Sequence, residues 1–132
     1  MKKTAELIKA ALEEDGWVGV DFDGTLSKYD EWEGPGVVGD KVAKIVDMVK
    51  ELLKSGVTVK VFTARVADHS QEEEATEAIQ DFCEKHIGRA LDVTNEKDPS
   101  MIGLIDDKLI TITVKPNTGE ILESLRRRRK RK

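Results

Sequence analysis

Apolar residues along this chain switch repeatedly between two spacings, and each switch predicts a change of element. Over residues 4–14, Ala5, Ile8, Ala11 and Leu12 recur at helical spacing, with Gly16 placed to end the helix. Residues 17–22 form a compact apolar run that reads as a strand. Residues 24–39 have no period; Tyr29, Trp32 and the breaker Gly34-Pro35-Gly36 mark a loop or small flap. Over residues 40–54, Val42, Ile45, Val46, Val49, Leu52 and Leu53 draw an amphipathic stripe that Ser55-Gly56 stops.

The alternation continues. Residues 57–63 carry β-branched residues and Phe62 in strand order. Ser70-Gln71-Glu72-Glu73 has capping-box form, and the helix it opens holds Ala75, Ala78, Ile79, Phe82 and His86 before Gly88. A short strand over 91–94, a polar turn over 95–100, and strands over 101–105 and 109–114 follow. After the turn Pro116-Asn117-Thr118-Gly119, residues 120–125 fit either a return strand or a short helix.

Strands alternating with helices predict an α/β domain, a Rossmann-like three-layer sandwich with a central parallel sheet covered on both faces and ligands at its strands' carboxyl ends. The polar residues fall at those ends. Asp21 and Asp23 follow the first strand, Thr63 and Arg65 the second, Asp106 and Asp107 the fourth. Along a strand alternate side chains share a face, so Asp21 and Asp23 can look into one crevice while Phe22 faces the interior, and Gly24 frees the turn. Two such acids are costly to bury unless a metal ion or a shared proton compensates.

Composition narrows the class. The 132 residues fit one domain over 1–125, followed by a basic tail, 126–132. No apolar run approaches the roughly 18 residues of a membrane helix, and the amphipathic amino terminus is not a signal peptide, so a cytoplasmic protein without membrane association is expected. Cys83 is the only cysteine, which excludes an internal disulfide and a cysteine-rich zinc site. The net charge is −4 although all seven tail residues are basic, so the body alone carries about −11.

Taken in order, Asp21-Phe22-Asp23-Gly24-Thr25, Val61-Phe62-Thr63-Ala64-Arg65, Lys97 and Ile105-Asp106-Asp107 resemble the four motifs of the haloacid dehalogenase superfamily, across about residues 17 to 110. Family members that cleave carbon–halogen bonds lack the second acid and the ion-pumping ATPases carry Thr there, so the Asp21–Asp23 pair resembles a phosphatase. The family's cap domains enter after the first motif or after the third strand. Here those gaps hold only the 24–39 loop and the 64–70 turn, so the resemblance implies a small, cap-less core with an open site.

The chemistry agrees with the resemblance. Phosphoryl transfer needs an in-line nucleophile, a cation for the phosphate oxygens and an acid for the leaving group. Asp21 suits the nucleophile, forming an aspartyl-phosphate, and Asp23 suits the group that protonates the departing alkoxide and then deprotonates water. Asp21, Asp106 and Asp107 offer hard anionic oxygens for Mg²⁺, and the resemblance adds the backbone carbonyl of Asp23 to that shell. Thr63 and Lys97 offer a hydroxyl and a compact charge to phosphate oxygens. The substrate-binding set is Gly24, Thr63, Ala64, Arg65 and Lys97, with Arg65 open to pairing either a second substrate anion or an acid of the flap.

The expected activity is a Mg²⁺-dependent phosphomonoester hydrolase, with a lean toward nucleotides or nucleic-acid ends from the flap aromatics and the basic tail. Against this, Trp32 can equally anchor the flap, and Asp30, Glu31 and Glu33 repel an anion. An open site also suits a substrate covered by a second copy in a homo-oligomer. The alternative from another class is a phosphate- or metal-binding module without turnover whose tail contacts nucleic acid. A signalling receiver domain combines similar residues in a different order and is rejected on that ground.

Overall fold

The computed structural model describes residues 2–106 and 110–112. Among these residues five strands form one sheet: β1 (Trp17–Asp21), β2 (Thr58–Phe62), β3 (Val93–Thr94), β4 (Met101–Ile105) and β5 (Ile110–Ile112), in the order β3-β2-β1-β4-β5. The first four run parallel, and β5 is antiparallel to β4. Three α-helices accompany them among the described residues, α1 (Lys2–Glu14), α2 (Ala43–Lys54) and α3 (Glu72–His86). No helix among the described residues is long and apolar enough to cross a membrane.

β1 is central because its side chains find apolar partners on both neighbours. Val18 pairs in register with Val59 and Gly103, and Val20 with Val61 and Ile105. Val18, Val20 and Phe22 point toward the helices and share one buried cluster with Leu7 and Ala11 of α1, Val46 and Leu52 of α2, and Ile79 and Phe82 of α3. Phe22 meets Phe82 edge-on at 5.2 Å between ring centroids, a geometry worth about 0.5–1.5 kcal/mol beyond burial. The opposite face looks different. A Cβ on Gly19 would meet Met101 Cε at 2.8 Å and Leu104 Cδ1 at 3.2 Å, and Lys60 lies 4.7 Å over the Trp17 ring. No described helix covers that face, so two of the three expected layers lie within the described residues.

Element ends depart from the sequence reading where long-range contacts intervene. α1 ends at Glu14, but the left-handed residue after it is Asp15, with φ 50°, and not Gly16. Gly16 still closes the helix, its amide donating to the Ala11 carbonyl at 3.0 Å, and it is needed for packing as well, since a Cβ there would lie 2.3 Å from Ile102 Cγ1 and 2.5 Å from the Ser100 carbonyl. Gly16→Ala is expected to cost about 1–3 kcal/mol, read as a lower denaturant midpoint at unchanged slope, because the nearest atoms include backbone that cannot step aside.

α2 begins at Ala43, three residues later than its apolar stripe suggests. Residues 40–42 are drawn off into pairing with the loop after β1: Lys28 donates to the Asp40 carbonyl and Val42 to that of Leu26, at 2.8 Å each. Its far end closes as expected, with Gly56 at φ 90° and the Val57 and Gly56 amides donating back to Leu52 and Leu53. α3 begins at Glu72 without the capping box. Ser70 turns its hydroxyl and amide to Asp68 Oδ1, at 2.7 and 3.0 Å, and Gln71 caps with no side-chain bond. Glu72, Glu73 and Glu74 still occupy the first turn, where the helix dipole favours acids. The expectations for residues 109, 113–114 and 116–132 lie outside the described residues.

Candidate active site

The strand order places a topological switch at β1. The chain runs outward from β1 to β2 to β3, then returns to the other side of β1 as β4, and ligands favour the crevice at the carboxyl ends where such a reversal occurs. Asp21 closes β1 and Asp106 follows β4, each one step beyond the paired residues Val20 and Ile105. The two acids therefore stand on neighbouring strand ends, about 5 Å apart at the backbone. The Phe22 amide donates to Asp21 Oδ1 at 3.0 Å, which fixes one carboxylate oxygen toward the turn. Asp107 lies outside the described residues.

Beyond Asp21 the chain turns tightly. Gly24 adopts φ 79° and donates to the Ser27 carbonyl at 2.8 Å, while the amides of Thr25 and Ser27 return to Phe22. Leu26 plugs into the core and Ser27 is fully buried. Ser27 Oγ accepts from the Gly39 amide at 2.8 Å, and with the Lys28–Asp40 bond this pins both ends of a flap, residues 28–40. A Cβ on Gly39 would come within 2.1 Å of the Lys28 carbonyl, so that crossing requires glycine. No domain is inserted between β1 and α2 or between β2 and α3.

Thr63 follows β2 and is buried, its amide donating to the Thr94 carbonyl at 2.9 Å. Its hydroxyl accepts from the Arg65 amide at 3.2 Å, capping the single 3₁₀ turn Ala64–Val66, and retains its own proton to donate. Lys97 sits on the loop before β4 with Nζ 6.0 Å from the Phe62 ring, and Phe62 pairs directly with Asp21. That loop is held in place by Asp98, whose Oδ1 accepts from Trp17 Nε1 at 2.9 Å and from the Ser100 amide at 2.7 Å. The Trp17 bond is the first reason the Asp98 carboxyl is held below its ordinary value.

Arg65 is where the structure departs most from the sequence reading. It is 8% exposed, and its acceptors are Asp23 and two backbone carbonyls of the flap rather than a flap carboxylate. Nε and Nη2 donate to Asp23 Oδ2 and Oδ1 at 2.9 and 2.6 Å, and Nη1 donates to the carbonyls of Pro35 and Val37 at 3.1 and 2.8 Å. Its guanidinium lies 5.2 Å from the Phe22 ring and 4.9 Å from the Trp32 ring. A cation so fully committed is a poor receptor for a second substrate anion. Trp32, half exposed, anchors the flap through that contact.

Beside Arg65 and along the flap runs an open cleft of about 370 Å³, lined by Lys28, Tyr29, Asp30, Glu31, Glu33, Asp40 and their neighbours. Four carboxylates against Lys28 and a committed Arg65 make it unwelcoming to a polyanion. The remaining titratable candidates are structural. Cys83 is fully buried and burial pushes its thiol up to about 11, far from a reactive thiolate. His86 tilts against Phe82 at 4.5 Å, and loss of solvation is the main cause of its lowered pKa. His69 pairs with Glu72 on the surface at the start of α3.

Among the described residues no three acidic, histidine or cysteine side chains converge as a metal site. The donor chemistry still fits a hard divalent cation in part: Asp21 and Asp106 supply two carboxylates from adjacent strand ends, which suits Mg²⁺ with retained waters. The Asp23 carboxylate is engaged with Arg65, leaving that residue's backbone carbonyl as its contribution. Comparison with protein-family models, curated proteins and solved structures finds no match for this chain.

Two positioning devices escaped the sequence reading. The Trp17–Asp98 bond joins residues 81 apart, but Asp98-Pro99-Ser100 and Asp68-His69-Ser70 both carry the Asp-x-Ser pattern of a side chain bonding backbone two residues on. That signal was legible and would have warned against the capping box. The burial of Ser27 beneath the flap had no sequence signal.

Proposed function

We propose that this chain hydrolyses phosphomonoesters through an aspartyl-phosphate on Asp21. The observation that carries the reading is that Asp21 closes one of three adjacent parallel strands and Thr63 and Asp106 directly follow the other two, with Lys97 Nζ 6.0 Å from the ring of Phe62, the residue paired with Asp21. In the first step an Asp21 carboxylate oxygen attacks phosphorus, the bond to the leaving oxygen breaks, and Asp23, which has to enter the step protonated on a lone pair that Arg65 does not use, gives that proton to the leaving oxygen. In the second, water attacks the phosphoenzyme, gives its proton to Asp23, and returns Asp21 as carboxylate. The Thr63 hydroxyl and Lys97 ammonium hold phosphate oxygens. Mg²⁺ bound by Asp21 and Asp106, with Asp107 as a further ligand, would offset the charge of the phosphate brought beside these acids.

The acidic cleft favours a compact monoester over a long nucleic-acid strand, with half-exposed Tyr29 available to stack on a base or another flat group. Purified protein is expected to release phosphate from members of a phosphomonoester panel with Mg²⁺ present, to lose essentially all release in excess chelator, and to recover it when Mg²⁺ is restored. Release indifferent to chelation would remove the metal. Phosphate binding without release from any member would replace the enzyme by a binding module.

A further inference from the structure

We propose that Arg65 is a positioning residue that couples the seat of the 28–40 flap to the aim of Asp23. The inference rests on the phosphatase reading for what Asp23 does, but the coupling itself follows from geometry. A guanidinium is a rigid plane whose donors cannot move independently. One edge grips both oxygens of Asp23, and Nη1 grips the Pro35 and Val37 carbonyls of the flap. Its two ring contacts differ in kind: Phe22 belongs to the buried core and Trp32 belongs to the flap. Behind it, Thr63 holds the Arg65 amide at the end of β2.

Lifting the flap therefore strips this buried cation of two acceptors and of the Trp32 ring in one event. A guanidinium that shifts to recover them carries the Asp23 carboxylate with it. Seating the flap and aiming the acid become one equilibrium, so a change on the flap away from the phosphate is felt in the chemical step rather than in substrate affinity.

The test has two arms on the full-length protein. In hydrogen exchange, Asp23→Asn, which cannot accept from both Nε and Nη2, should speed exchange of the Val37 and Gly39 amides about tenfold while the Val61 amide on β2 is unchanged. In kinetics on the best monoester of the panel, Arg65→Lys keeps the charge but loses the fork, and kcat should fall about tenfold or more with KM within about twofold. Trp32→Ala should move kcat in the same sense by a smaller factor, and the double variant should lose less than the product of the two. A risen KM at unchanged kcat in Arg65→Lys would make Arg65 a substrate-anion receptor and overturn the proposal, as would unchanged flap exchange in Asp23→Asn. Faster flap exchange in a protein that turns over no monoester would uphold the coupling while removing the phosphatase.

Discussion

Asp21→Asn is expected to abolish phosphate release, by at least roughly 10⁴-fold, while the protein remains folded. The carboxamide is nearly isosteric, and its oxygen can still accept the Phe22 amide that now bonds Asp21 Oδ1. It has no anionic oxygen with which to attack phosphorus and cannot form the acyl-phosphate bond. Asp21 is partly exposed at the end of β1 and outside the apolar cluster, so the substitution should leave the unfolding free energy within about 0.5 kcal/mol of wild type. The measurement is phosphate release beside an unfolding curve for the same preparation. Release at wild-type rate would eliminate the covalent route, and a collapsed unfolding curve would mean that Asp21 serves the fold instead.

The layout of the site was legible because it follows from strand termini, which local pattern marks well. β1 and β4 have apolar runs bounded by polar residues, so the positions of Asp21 and Asp106 could be read from the chain. The sense of pairing also followed, since helices between β1 and β2 and between β2 and β3 allow parallel neighbours. What could not be read were decisions made by contacts distant in sequence. Residues 40–42 continue a helical stripe, yet they pair with the loop after β1, where the Lys28 amide donates to the Asp40 carbonyl and the Leu26 carbonyl accepts from Val42, satisfying backbone groups that a helix end would leave open. The choice of Arg65 between a substrate anion and a flap acid was undecidable for the same reason: its partner, 42 residues away, is Asp23. Gly16 closes α1 as its place in the chain suggests, and it meets a second demand that the chain does not show. A glycine after a helix suggests a left-handed turn, but the close approach of β4 is invisible in the local string.

Asp23→Asn is expected to lower steady-state turnover by about 10²–10⁴-fold, and in a way that separates it from Asp21→Asn. The nucleophile is intact, so a substrate whose leaving group departs without a proton, such as an aryl phosphate, can still phosphorylate Asp21. The second step then stalls, because an amide cannot take the proton from the attacking water. Rapid mixing should show a burst approaching one equivalent of leaving group followed by slow release, with phosphate retained on the acid-quenched protein. The Arg65 pair complicates the comparison, since an Asn at this position accepts on one edge only and turns an N–H toward a donor on the other. Arg65→Lys disturbs the same pair while leaving a carboxylate at 23, so it should slow the second step less and retain less phosphoenzyme than Asp23→Asn. Greater accumulation in the Asn variant than in Arg65→Lys would locate the second proton transfer at Asp23. Full-rate turnover in the Asn variant would reduce the residue to a partner of Arg65 and leave the deprotonation of water to another group.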